Sequence, residues 1–231
     1  MTGRARQTSP ASGPGTGRVA GSGRAAASGR GTGQPAGTGG SGGFGIEGYR
    51  PRWHYRGRAL AAAHRARFRQ LVGQPLHDAW LMWDLDADRW FADGPVILGF
   101  ADANVEITHR KFDECAITWD QVDMLLPLHW SATPTAPLAS LDRSGPQLRL
   151  DWRAGGHPAL ARVRGRRLRE VNVVERLMPA HWRPTVLHAV ELVFDPPDVR
   201  LAVFNALDEN GLTDDAEIGM PVGHCRRIRV V

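Results

Sequence analysis

The sequence predicts an α+β protein, mostly antiparallel sheet, in which two pseudo-symmetric α-β-β-β halves share one core and a disordered arm precedes them. Three observations carry that prediction. Apolar residues alternate with a period of two in several short runs, as half-buried strands require. Two pairs of these runs are joined by turn-forming residues. The second half of the chain repeats the first at an offset of 92 that drifts to 94 and then 95.

The arm comes first. Residues 1–46 hold Arg4, Arg6, Arg18, Arg24 and Arg30, no carboxylate, and almost no large apolar side chain before Phe44. Such a segment has too little apolar surface to offset its ordering entropy, so it is expected to be disordered. A GxGxxG match at Gly37, Gly39 and Gly42 lacks a preceding strand and a following helix, and carries no nucleotide-binding argument. Residues 47–58 read as a basic, aromatic linker, in which Arg50, Arg52, Arg56 and Arg58 alternate with Trp53 and Tyr55. Guanidinium groups neutralise phosphates and rings stack on bases, so these six residues are the candidate nucleic-acid contacts.

Residues 59–231 form the predicted domain, with a first half at 59–124, a connecting loop at 125–146 rich in Pro, Ser and Thr, and a second half at 147–231. Leu60, His64, Phe68 and Leu71 place one apolar face on a helix over 58–72, and 157–164 is its shorter counterpart. Gly73 and Gly165 fall just past these helices, where a left-handed residue commonly ends a helix. Apolar strands follow at 76–83 and 168–175. Hairpins then pair 96–100 with 105–108 and 190–194 with 199–204, through the turns Ala-Asp-Ala-Asn and Asp-Pro-Pro-Asp. Alternation at 147–152 and 224–231 adds two further strands. The repeat aligns Gly73 with Gly165, Trp90 with Trp182, and Phe112-Asp-Glu114 with Leu207-Asp-Glu209. Two copies are too few for a solenoid, so one shared core is expected.

Charge is polarised along the chain. The net charge of +5 divides into an excess of arginine before position 73 and an excess of carboxylate after it. That asymmetry suits an arm for an anionic partner, a nucleic acid or an acidic protein surface, and not a membrane. Only two cysteines, Cys115 and Cys225, are present, and no apolar run approaches the roughly 18 residues needed to cross a bilayer. A reducing, cytoplasmic location follows as the expectation. The single lysine, Lys111, among 29 basic residues points to a GC-rich bacterial source.

Candidate chemistry is sparse. The repeated acidic pairs Asp113, Glu114, Asp208 and Glu209 would meet at the interface of the halves if the pseudo-symmetry holds, with His109 beside the first pair. Clustered carboxylates of that kind share a proton or hold a hard cation. The Asp84-Leu-Asp-Ala-Asp88 run begins like a calcium loop, but Arg89 stands in place of the turn glycine and Pro95 in place of the bidentate glutamate. His224 and Cys225 have no paired-ligand spacing, and no nucleophile elbow or P-loop occurs. Trp80 and Trp83 lie on opposite faces of their strand, so one of them faces a partner or the solvent. With no cofactor motif and no metal signature, the expectation is a non-catalytic binding or interaction module of unknown ligand. A carboxylate-dependent enzyme and nucleic-acid binding through the arm are the alternatives.

Overall fold

The computed structural model describes residues 45–128, 148–178, 185–215, 218 and 224–231. The predicted arm up to residue 44, most of the 125–146 connection, and Trp182 lie outside the described residues.

Helix α1 spans Gly57–Leu71 and buries Leu60, Ala61, Phe68 and Leu71 while its arginines face outward. Its N-terminus lacks a local side-chain cap because Arg56 occupies the cap position. Glu175, 118 residues away and almost fully buried, supplies the missing acceptor: its Oε1 takes the Gly57 N–H at 2.8 Å. Arg226 donates to the other oxygen of Glu175 at 3.1 Å and so balances its charge. Helix α2, Pro158–Val163, is a short counterpart whose first free N–H, on Ala159, is capped by His157 Nδ1 at 3.2 Å. Gly73 and Gly165 follow the two helices with φ of +89° and +76°, the left-handed region that glycine enters without a Cβ penalty.

The strands form two antiparallel sheets. In the first, β1 (Asp78–Asp84), β3 (Val96–Gly99), β4 (Asn104–Arg110) and β5 (Glu114–Trp119) follow one another as neighbours, and the two-residue β2 (Arg89–Trp90) pairs with the end of β1. Strand β6 (Leu150–Ala154) returns to the other side of β1. In the second, β7 (Leu168–Leu177), β8 (Thr185–Phe194), β9 (Val199–Asn205) and β10 (Asn210–Thr213) run in sequence, and β11 (Cys225–Arg229) returns beside β7. Each sheet thus contains a four-strand meander, and a further strand, β6 or β11, returns to pair with the meander's first strand.

Two sequence expectations are displaced. The strand starting near 147 was placed in the second half, yet β6 pairs with β1, because Leu150 and Trp152 complete an apolar layer with Met82 and Ile97 of the first sheet. The repeat offset of 94, which sets Val105 on Val199 in the hairpins, also shifts by two. The first ladder pairs Leu98 with Val105, whereas the second pairs Leu192 with Leu201 and extends one pair further, to Phe194 and Val199.

A single core lies between the sheets and under the helices. Leu81, Leu98, Val105 and Ile107 of the first sheet meet Val171, Val190, Leu192, Leu201 and Val203 of the second, with Phe68 and Leu160 from the helices. The first sheet is covered on its outer face as well, where Ile46, Tyr49 and Val122 pack on Met82 and Ile97. Residues 47–58 therefore do not form a free linker. His54 exchanges backbone hydrogen bonds with Cys115 at 2.8 and 2.9 Å and extends the edge of β5. Tyr49 is buried, and Arg110 stacks 3.9 Å above the Trp53 ring.

Where each helix hands over to its strand, the two halves bond to each other. Gly73 N donates to Leu168 O and Gly165 N donates to Leu76 O, both at 2.7 Å. Leu76 N donates to Arg166 O and Leu168 N donates to Gln74 O, both at 2.9 Å, and Pro75 faces Arg167 in an isolated bridge. No helix among the described residues is long and apolar enough to cross a membrane.

Candidate functional site

Ala92, Gly94 and His109 are tied together by Asn210, which opens β10 and is buried. Its amide Nδ2 donates to Gly94 O at 2.8 Å and to Ala92 O at 3.1 Å, and its backbone N–H also reaches Ala92 O, at 3.0 Å. With both amide hydrogens spent on carbonyls, Oδ1 is the acceptor. It takes the His109 N–H at 2.9 Å and His109 Nδ1 at 3.1 Å. Nδ1 of His109 therefore carries the proton, and Nε2 keeps a buried lone pair with no donor among the described residues. Burial holds the His109 pKa down to about 4, against the Asn210 contact, which favours the charged form.

Beside this clamp lies an open cleft of about 500 Å³, between the Arg89–Asp93 segment and the β9–β10 hairpin. Trp90, Phe91, Phe204 and His157 supply its rings, Asp93 and Glu209 its carboxylates, and Asn210 and Gly211 part of its floor. The ring of Phe204 lies over Gly211, its partner across the ladder, where a Cβ would sit 2.3 Å from the ring. That close approach is the reason glycine is needed in this strand. Trp90 and His157 meet edge to face at 5.8 Å. The carboxyl of Asp93 is pushed up by burial and then by the negative charges of Glu209 and Asp208.

The sequence candidates are divided among several places. The β4–β5 and β9–β10 turns do meet: Lys111 N donates to the Asp208 carboxylate, and Asn205 Nδ2 donates to Lys111 O at 2.7 Å. The four carboxylates serve separate contacts, however. Glu114 is held by Arg110 at 2.6 Å and Lys111 at 2.8 Å; burial raises its pKa, but these two cations outweigh that and keep it low. Glu209 faces the cleft, and Asp113 is half-buried in its turn. Among the described residues no group of three His, Cys, Asp or Glu side chains is arranged to hold a metal. Phe112 and Leu207, the residues at the two tips, are 74% and 78% exposed.

Of the candidate nucleic-acid contacts, Arg50, Arg52, Arg56 and Arg58 are exposed, as is Tyr55, while Trp53 is half-buried beneath Arg110. Trp83 donates its indole N–H to Asp88 at 2.9 Å and is stacked by Arg153 at 4.4 Å, which leaves little of its face for a partner. Trp80 packs its ring on Gly99. Cys115 is buried, which pushes its thiol pKa up, and Cys225 is unpaired and half-buried.

No family model, curated protein or solved structure matches this chain.

Sequence reasoning did not find Asp93, His157, Phe204, Asn210 or Gly211 as a group. Their only common signal is the ladder that sets Phe204 opposite Gly211, and that register emerges from the fold.

Proposed function

We propose that this chain is a non-catalytic binding module whose ligand occupies the cleft between the Arg89–Asp93 segment and the β9–β10 hairpin. The observation that carries the reading is the cleft itself. Its volume falls in the range of roughly 300–1,000 Å³ usual for small-molecule sites, and it pairs aromatic walls with a few fixed polar groups. The histidines near it are committed elsewhere: His157 caps Ala159 and His109 bonds Asn210. A binding site needs only the fixed walls that remain.

The two halves read as copies of one ancestral unit. In support, the matching strand orders and the reciprocal bonds of Gly73 and Gly165 with Leu168 and Leu76 are what a twofold axis through Pro75 and Arg167 would produce. On that reading the cleft has a simple origin. In the first half the extended segment at His54, with His64, Arg67 and Phe68 of α1 on Trp119, covers the β5 edge, whereas α2 is six residues long and leaves the corresponding space beside β10 open. The free thiols Cys115 and Cys225 support the reading of a cytoplasmic location, and the arginine bias supports that of a bacterial source.

A thermal-shift screen of a small-molecule collection against the full chain tests the function. A ligand that raises Tm and is recovered chemically unchanged is the expected result. Turnover of a substrate, lost on Asp113→Asn or Asp208→Asn, would replace the proposal with a carboxylate-dependent enzyme. A second reading, nucleic-acid binding, draws on the exposed Arg52, Tyr55, Arg56 and Arg58, which the His54 bridge fixes to the domain edge. It requires salt-sensitive oligonucleotide binding that is lost when the three arginines are replaced by glutamate.

A further inference from the structure

We propose that the ligand of this cleft is an organic cation, an alkylammonium group seated among Trp90, Phe91 and Phe204 with Asp93 and Glu209 closing on its charge. The inference rests on the reading of the cleft as a ligand site and adds the class of ligand. Aromatic rings attract cations through the negative potential of their faces, and carboxylates at the margin add a net charge. Both kinds of group line this one space.

The local charge is unbalanced. Asp93 and Glu209 are exposed, and neither takes part in an ion pair among the described residues. Partial burial, and after it the negative charges of Glu209 and Asp208, work against ionisation of Asp93, and a bound cation would offset the repulsion. Arg89 is the only cation in the lining, and it is an exposed rim residue of β2. Two carboxylates against one guanidinium in the lining favour a positive guest over an anion.

The walls are preorganised for such a guest: Gly211 seats the Phe204 ring, His157 meets Trp90 edge to face, and Asn210 fixes the Ala92–Gly94 backbone. Little ordering cost would then fall on binding.

Choline and 3,3-dimethylbutan-1-ol have nearly the same shape and differ in charge, so calorimetric titration of the full chain with each separates the cation from the apolar volume. Choline is expected to bind at least tenfold more tightly than the alcohol. The Asp93→Asn, Glu209→Gln double variant, both positions being exposed, is expected to keep the wild-type Tm and to lose tenfold or more in choline affinity without change toward the alcohol. Equal binding of the two compounds would overturn the cationic class while leaving the cleft a ligand site. No binding of choline, tetramethylammonium or cadaverine at millimolar concentration would overturn the proposal as well.

Discussion

His109 and Asn210 hold the two sheets together through one side-chain amide, and their energetics belong to single residues. The unfolded chain takes up a proton on His109 near its ordinary value of 6.5, but the folded protein resists until about pH 4. Stability is therefore full above about pH 6.5 and falls as the pH drops toward 4, because the unfolded state binds the proton first. At about 1.4 kcal/mol per pH unit the contribution has a ceiling of about 3 kcal/mol. His64, half-buried and also held to about 4, acts in the same direction. Urea midpoints at pH 7 and pH 4.5 should fall more for the wild type than for His109→Gln. Replacing Asn210 with alanine removes its side-chain bonds to Ala92, Gly94 and His109 and leaves the buried Gly94 carbonyl and His109 N–H without that partner. A loss of about 2–4 kcal/mol is expected by urea titration at pH 7. None of this was legible in the sequence, since the partners of Asn210 lie 101 to 118 residues away.

The secondary elements show which signals are local. The hairpins and the terminating glycines were readable from the chain because turn residues and the end of a helical period sit within a few positions of each other. The cap of α1 was not readable, because its acceptor comes from β7. Glu175→Ala leaves the Gly57 N–H and the Arg226 guanidinium without their shared carboxylate, and should cost about 1–2 kcal/mol, measured as a lowered urea midpoint. Gly57→Ala makes the sharper test. Helix propensity alone favours alanine by about 1 kcal/mol, but its Cβ would lie 2.8 Å from Glu175 Oε1 and 3.0 Å from Val173. Lowered stability is expected, and a gain would show that Glu175 does not hold the position described.

For the whole molecule, the interlocked connections matter more than either half. The bonds from Gly73 to Leu168 and from Gly165 to Leu76 cross between the halves, and α1 docks its N-terminus on Glu175 of the second sheet. Neither half completes its own backbone pairing, and an unpaired buried N–H or carbonyl is costly. Residues 1–156 and 157–231 expressed apart should show no cooperative thermal transition by circular dichroism, whereas the mixed fragments should recover one. The predominance of antiparallel sheet was legible from the alternating runs, but the place of β6 was not, because alternation marks a strand without naming its neighbour.

The central claim is that the space beside Trp90 is where this protein binds its ligand. The indole N–H resonances of the tryptophans offer a direct measurement, in ¹H–¹⁵N spectra of the full chain recorded with increasing amounts of a compound that raises Tm. The Trp90 indole signal and the backbone amides of Asp93 and Asn210 to Leu212 are expected to move together and saturate, while Trp83 and Trp119 stay in place. Saturable shifts elsewhere, with Trp90 unmoved, would put the ligand outside this cleft.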